Sequence, residues 1–182
     1  MRRGLDLIYR AAGGLAAIFI LAIVVLVTAQ VCLNLADKVA AGVTGKGLGL
    51  TIPSYSDFTG FFLAASTFLA LAYTLRAGGH IRVTLLITRL PAGVHGAVEI
   101  AVVLVALAMS AFATWYLVLL VMESAEFGDR SSGMVSVPLW IPQTPVAVGL
   151  GVLTLALTDE LVGLLRGRPA SWQGKGENLL SE

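Results

Sequence analysis

Four stretches without a charged residue dominate the chain, each bounded by polar, glycine-rich or proline-rich sequence. They run from Ala11 to Ala36, Phe58 to Leu75, Ile100 to Met122 and Thr144 to Thr158. With flanking turns, the first three approach or exceed the roughly 20 helical residues needed to cross a hydrocarbon core. The fourth reaches that length by continuing through Asp159 and Glu160 to Leu165. The pattern predicts an all-α integral membrane protein with four transmembrane helices, over about 11–36, 55–75, 96–122 and 144–165.

The boundaries carry their own signals. Arg2, Arg3 and Arg10 precede the first apolar run, which suits either a secretory signal or a retained helix. A signal core spans only about 7–15 apolar residues before a small-residue cleavage site. This run is longer and keeps a polar end (Gln30, Asn34, Asp37, Lys38), so a retained helix is expected. Residues 37–54, rich in glycine and closed by Pro53, read as a loop. Ser54 with Asp57 three residues on resembles a capping box at the start of the second helix. The segment 131–145 cannot be regular helix throughout, because each proline removes a donor and crowds the preceding turn. Thr144-Pro145 reads as an N-cap followed by proline at the first helical position. Residues 1–168 form the membrane domain, and 169–182 are expected to be a disordered cytoplasmic tail.

Composition excludes the soluble class. Of 182 residues, 57% are hydrophobic and 13% charged, and mean hydropathy is +0.88. Soluble domains carry roughly 25% charged residues. A lone cysteine, Cys32, rules out an intramolecular disulfide.

The net charge of +1 hides an asymmetry that sets the topology. Arg2, Arg3, Arg10, Arg76, Arg82, Arg89, Arg166, Arg168 and Lys175 fall on one side. Lys38, Lys46 and Arg130 fall on the other, which accounts for all 12 basic residues. The positive-inside rule then places both termini and the segment between helices 2 and 3 in the cytoplasm.

That middle segment, Arg76 to Pro91, divides the chain into halves. Between Ile81 and Leu90 the large side chains are aliphatic, apart from Arg82 and Arg89. Seven residues apart, these two lie about 20° apart on a helical wheel. A short amphipathic helix over 80–90, lying in the inner interface, would bury the aliphatic side and send both guanidinium groups to phosphates. The plainer alternative is a solvated loop that supplies only topological charge. On the first reading Arg76, His80, Arg82 and Arg89 are the candidate lipid- or interface-anchoring residues, with membrane phospholipids as partners.

The chemistry that is missing is equally informative. His95 and Glu99 have the i, i+4 spacing of a shared metal site, but such a site needs three or four ligands and the only other histidine is His80. No catalytic, cofactor or metal site and no nucleic-acid partner is expected. Ion and substrate paths are marked by intramembrane charge, whereas every charge here sits at or beyond a helix end. Gln30, Ser66, Thr67, Ser110 and Thr114, the main polar residues within the spans, suit helix–helix hydrogen bonding better than transport. The residues therefore suggest a membrane scaffold working for a partner.

Two segments sharpen this. Arg76-Ala-Gly-Gly-His80-Ile81-Arg82-Val83 and Pro138-Leu-Trp140-Ile-Pro142-Gln-Thr-Pro145-Val-Ala-Val-Gly149 resemble segments of the small membrane subunit (DctQ-like) of tripartite ATP-independent periplasmic (TRAP) transporters. The first is similar to that family's arginine, glycine, then His-Ile/Val-x-Val segment after helix 2. The second is similar to its proline–tryptophan approach to helix 4. Thr84 stands where members often carry an acidic residue, and Ser54-Tyr-Ser-Asp57 where many have tryptophan and paired glutamates.

The resemblance, over roughly residues 1–168, implies a small scaffold subunit of a sodium-coupled, binding-protein-dependent transporter of the bacterial inner membrane. It implies a large elevator-type permease subunit that holds the sodium and substrate sites, and a periplasmic solute-binding protein that delivers an organic acid. Asp129, Arg130 and Trp140 would then be candidates for periplasmic partner contact. A stand-alone four-helix assembly or lipid-binding protein is the alternative, and a homo-oligomeric carrier is disfavoured by the lack of intramembrane charge.

Overall fold

The computed structural model describes residues 2–78, 92–169 and 171, with side chains given from residue 4 and, in the third helix, from residue 96. Four helices account for most of them: α1 (Arg2–Thr44), α2 (Tyr55–Ala77), α3 (Ala92–Phe127) and α4 (Trp140–Leu165). All four are long and apolar enough to cross a membrane. The proposed interfacial segment 80–90 lies outside the described residues.

The helices form a row. α1 packs on α2, α2 on α4, and α4 on α3, with only a minor contact between α1 and α4. Without water to drive apolar surfaces together, helices in lipid associate through close packing at small residues. That is what these seams contain. Ala12, Ala16 and Leu69 are buried between α1 and α2, and Tyr9 packs with Ala72 and Ala156 where α1, α2 and α4 meet. A Cβ at Gly13 would lie 2.9 Å from Cγ of Tyr73, so α1 and α2 approach closely there. The α3–α4 seam adds hydrogen bonds. Thr154 Oγ1 lies 2.7 Å from Ser110 Oγ and 3.1 Å from Thr114 Oγ1, the interhelical role expected of those two residues. Ser66 and Thr67 instead bond the Leu63 carbonyl of their own helix.

Helix α1 is longer than its apolar run. Residues 37–44, read above as loop, continue the helix, and Gly45 ends it with φ +72. Charge at Asp37 and Lys38 marks the end of the membrane, not the end of the helix. With 43 residues α1 is about 64 Å long at 1.5 Å per residue, twice a hydrocarbon core. Its Gln30 lies level with Ile52, just before α2 begins, so residues 31–44 carry α1 about 20 Å beyond its neighbour.

The connection from Gly45 to Ser54 folds back along this projection. Asp37 Oδ1 accepts a 2.6 Å bond from the Gly49 N–H. The Gln30 amide accepts from Ile52 N–H at 2.8 Å and donates to Thr51 Oγ1 and Asn34 Oδ1. Gln30 is buried, and it ties loop to helix where the outer interface begins. Gln30→Leu keeps the volume but leaves the Ile52 N–H without its acceptor, a loss of about 1–3 kcal/mol. Faster hydrogen exchange at Ile52, with exchange in α3 and α4 unchanged, is the expected result.

Helix α4 starts one turn earlier than the Thr144-Pro145 signal predicts, at Trp140. Pro142 stands third in the helix, where an N–H would lack an intrahelical acceptor in any case. Pro145 lies inside the helix. The Thr144 hydroxyl donates to the Trp140 carbonyl at 2.6 Å, so Thr144 is a helical residue here and not a cap.

Candidate functional site

Polar side chains gather at the two ends of the row. At the outer end, residues 128–139 form a compact loop held by Ser131 N–H to Val137 O, Leu139 N–H to Asp129 O, and Val137 N–H to Ser131 Oγ. This loop sits on the start of α2. Val135 N–H donates to Ser54 Oγ at 2.9 Å, and a Cβ on Gly133 would meet Ser54 Oγ at 2.7 Å and collide with the Asp57 carboxylate.

The capping box anticipated at Ser54 and Asp57 is therefore not formed. Ser54 takes a left-handed φ of 56, and its hydroxyl serves the neighbouring loop instead of its own helix. Its carbonyl still accepts from the N–H groups of Asp57 and Phe58. Ser54→Ala should cost about 1 kcal/mol, with faster exchange at the Val135 amide. An effect confined to the first turn of α2 would instead indicate a cap.

Asp129, Arg130 and Trp140, the candidates for partner contact, all lie on this outer face and are exposed. Arg130 lines a shallow depression with Asp57, Ser131 and Gly133, whereas Asp129 and Trp140 are not among its walls. Val43 at the tip of α1 and Met134 in the loop are 82% and 85% exposed, high values for apolar side chains on the watery side.

At the inner end the centre is Arg76, in the last turn of α2. Its guanidinium lies 2.9 Å from Asp6 Oδ1 of α1, 3.2 Å from Asp159 Oδ2 and 3.5 Å from Glu160 Oε2 of α4. It also lies over the Tyr9 ring, 5.4 Å from the centroid. The alternation of helix directions explains the meeting. The start of α1, the end of α2 and the end of α4 fall at one level, so residues 70 and 83 positions from Arg76 become neighbours. Glu160 is the most buried of the three carboxylates, and its Oε1 accepts a 2.6 Å bond from Ser171 N–H. The chain beyond α4 is thus folded back onto the inner end as far as Ser171.

Of the candidate anchoring residues, Arg76 is set among protein carboxylates, while His80, Arg82 and Arg89 lie outside the described residues. Asp6, Asp159, Glu160 and Tyr9 did not emerge from the sequence, where the acidic residues served only to mark helix ends. Among the described residues no three or more of His, Cys, Asp and Glu are placed to hold a metal ion.

The geometry defines a four-span membrane protein with polar clusters at its two ends and an apolar middle. The chain belongs to the DctQ component family of the tripartite ATP-independent periplasmic transporters, whose model it matches over residues 38–167. No curated protein matches the chain. The protein is accordingly a small membrane component of a bacterial inner-membrane transporter, and its family is a transporter component and not an enzyme family.

Proposed function

We propose that the chain is the scaffold subunit of a sodium-coupled, binding-protein-dependent secondary transporter that takes up organic acids. A large elevator-type permease subunit would carry the sodium and substrate sites, and a periplasmic solute-binding protein would deliver the solute. The small subunit performs no catalysis and holds no cofactor. The observation that carries this reading is the open row of helices with charge-free middles. Leu21, Val25, Met109 and Phe112 are all more than 60% exposed within the spans. Such a row offers wide apolar faces to a membrane neighbour, and it has no charged group with which to bind an ion in mid-membrane.

The outer end suits a second contact. Asp129, Arg130 and Trp140, at the same end of the row as the α1 projection, form the surface proposed to meet the solute-binding protein. At the inner end, Arg82 and Arg89 are proposed to pin the segment after α2 to the inner leaflet, with His80 in a structural role. Replacing both arginines with glutamate should reverse the local charge and lower the yield of assembled complex several-fold. Normal assembly and uptake in the double variant would rule that anchor out.

Reconstitution tests the function itself. Proteoliposomes holding this chain alone should show no sodium-dependent uptake of dicarboxylates or other organic acids, while those holding both membrane subunits plus the binding protein should. Flux from this chain alone would refute the scaffold role.

A further inference from the structure

The projecting part of α1 has two unlike sides. Gln30 and Asp37 lie on one of them and bind the returning connection. Leu35, Val39 and Val43 lie on the other, roughly 140–220° around the helix from Gln30 at 100° per residue. They are 62%, 59% and 82% exposed. Cys32 is exposed on the same side, and no charged residue falls on that side between Ile18 and Val43. Because every third or fourth residue returns to one face, the side continues down the span through Val25, Leu21 and Ile18, which are exposed as well. α2 packs on the opposite flank of α1, through Ala12 and Ala16, so this face is the open end of the row.

Within the bilayer lipid covers such a face, but past the outer interface water meets it. A contiguous aliphatic surface in water marks a place where another molecule sits. Its size indicates which molecule. The projecting part is about 20 Å long and about 10 Å wide, roughly 200 Å². That is about a quarter of the ~800 Å² per partner in a stable interface between soluble proteins. A periplasmic protein resting there alone would be held weakly, and each departure would return the aliphatic side chains to water. A neighbour that spans the membrane avoids both difficulties. It follows the same face down to Ile18, about 37 Å in all, which nearly doubles the contact. Already confined to the bilayer, it also loses less freedom on docking.

We propose that this side of α1 docks an uncharged membrane-spanning helix of the larger membrane subunit, one that itself continues past the outer interface. The inference rests on the scaffold reading above and adds where the two subunits meet. The two parts of the face contribute differently. Inside the span there is no water to expel, so fit alone matters. Beyond it, burying Leu35, Val39 and Val43 removes apolar surface from water, and most of the affinity resides there.

The test uses the full chain in its native membrane, with photoreactive benzoylphenylalanine in place of Leu35 or Val39. A third version carries it in place of Met122, which is 62% exposed on α3 at the other end of the row. After irradiation the assembly is purified and the adducts are identified by mass spectrometry. Both α1 sites should join the chain to the larger subunit, with less than about a tenth of that yield from Met122. Leu35→Glu with Val39→Glu adds charge where the chain itself makes little contact, and acidic residues barely affect topology. The melting temperature of the isolated chain should hold, while recovery of the larger subunit with it falls at least about tenfold. Adducts from α1 to a second copy, to the solute-binding protein or to lipid alone would each overturn the proposal. So would a Met122 adduct as strong as those from α1, or normal recovery with the double variant. Absence of the larger subunit from the wild-type preparation would refute the scaffold reading itself, whereas its presence without an α1 adduct would refute only the docking face.

Discussion

Arg76→Met is expected to be the most damaging single substitution at the inner end, destabilising the protein by about 3 kcal/mol. It leaves Asp6, Asp159 and Glu160 facing one another without the cation they share, and Glu160 has a side chain only 5% exposed. Removing one partner of a buried ion pair costs far more than the pair contributes, because the remaining charge stays desolvated. A double variant, Arg76→Met with Glu160→Gln, should regain a substantial part of the loss. It removes the most buried uncompensated charge while keeping an oxygen for the Ser171 N–H. Arg76→Lys should fall between wild type and Arg76→Met, since a single ammonium cannot reproduce the fork that reaches α1 and α4 together. Melting temperatures in mild detergent check all three. No recovery in the double variant would mean that Arg76 acts through packing on Tyr9 and not through charge.

The second large effect belongs to Gly149, midway along the α2–α4 seam. A Cβ there would lie 2.5 Å from the Phe68 carbonyl oxygen and 2.7 Å from the Leu69 amide nitrogen. Both are backbone atoms that cannot rotate aside, so the two helices would have to separate. Gly149→Ala should cost about 1–3 kcal/mol, the usual penalty of forcing atoms into a filled interior. The internal control is two residues away. A Cβ at Gly151 meets only Thr114 Cγ2 at 3.8 Å, an ordinary contact. Gly151→Ala should be neutral or stabilising by up to about 1 kcal/mol, because alanine is the better helix former. Thermal unfolding of the two variants side by side reads the difference, and equal midpoints would mean that the α2–α4 approach is looser than described.

How much of this was legible beforehand depends on the kind of signal. The four spans were, because long charge-free runs are a local property of the chain, and the interhelical bonds of Ser110 and Thr114 with Thr154 fit the role expected of hydroxyls in lipid. The extension of α1 was hidden by Asp37, Lys38 and the glycines near them. Those residues mark departure from the membrane, which was read as departure from the helix. Ser54 failed as a cap for a tertiary reason, since its hydroxyl is claimed by Val135, 81 residues away.

The inner cluster shows the same limit. Nothing in the neighbourhood of Arg76 names Asp6 or Asp159. One signal was present, however: with alternating spans, the start of α1 and the ends of α2 and α4 must share a level. An arginine at one and carboxylates at the other two were candidates for pairing on topology alone.

The central claim is that this chain works as a subunit of a larger membrane assembly. Its most direct test is purification of the tagged full chain from its native membrane in mild detergent, with the mass and composition of the product measured. A constant stoichiometry with a much larger, many-span membrane protein is the predicted result. A monodisperse, solitary chain that retains transport activity would contradict it.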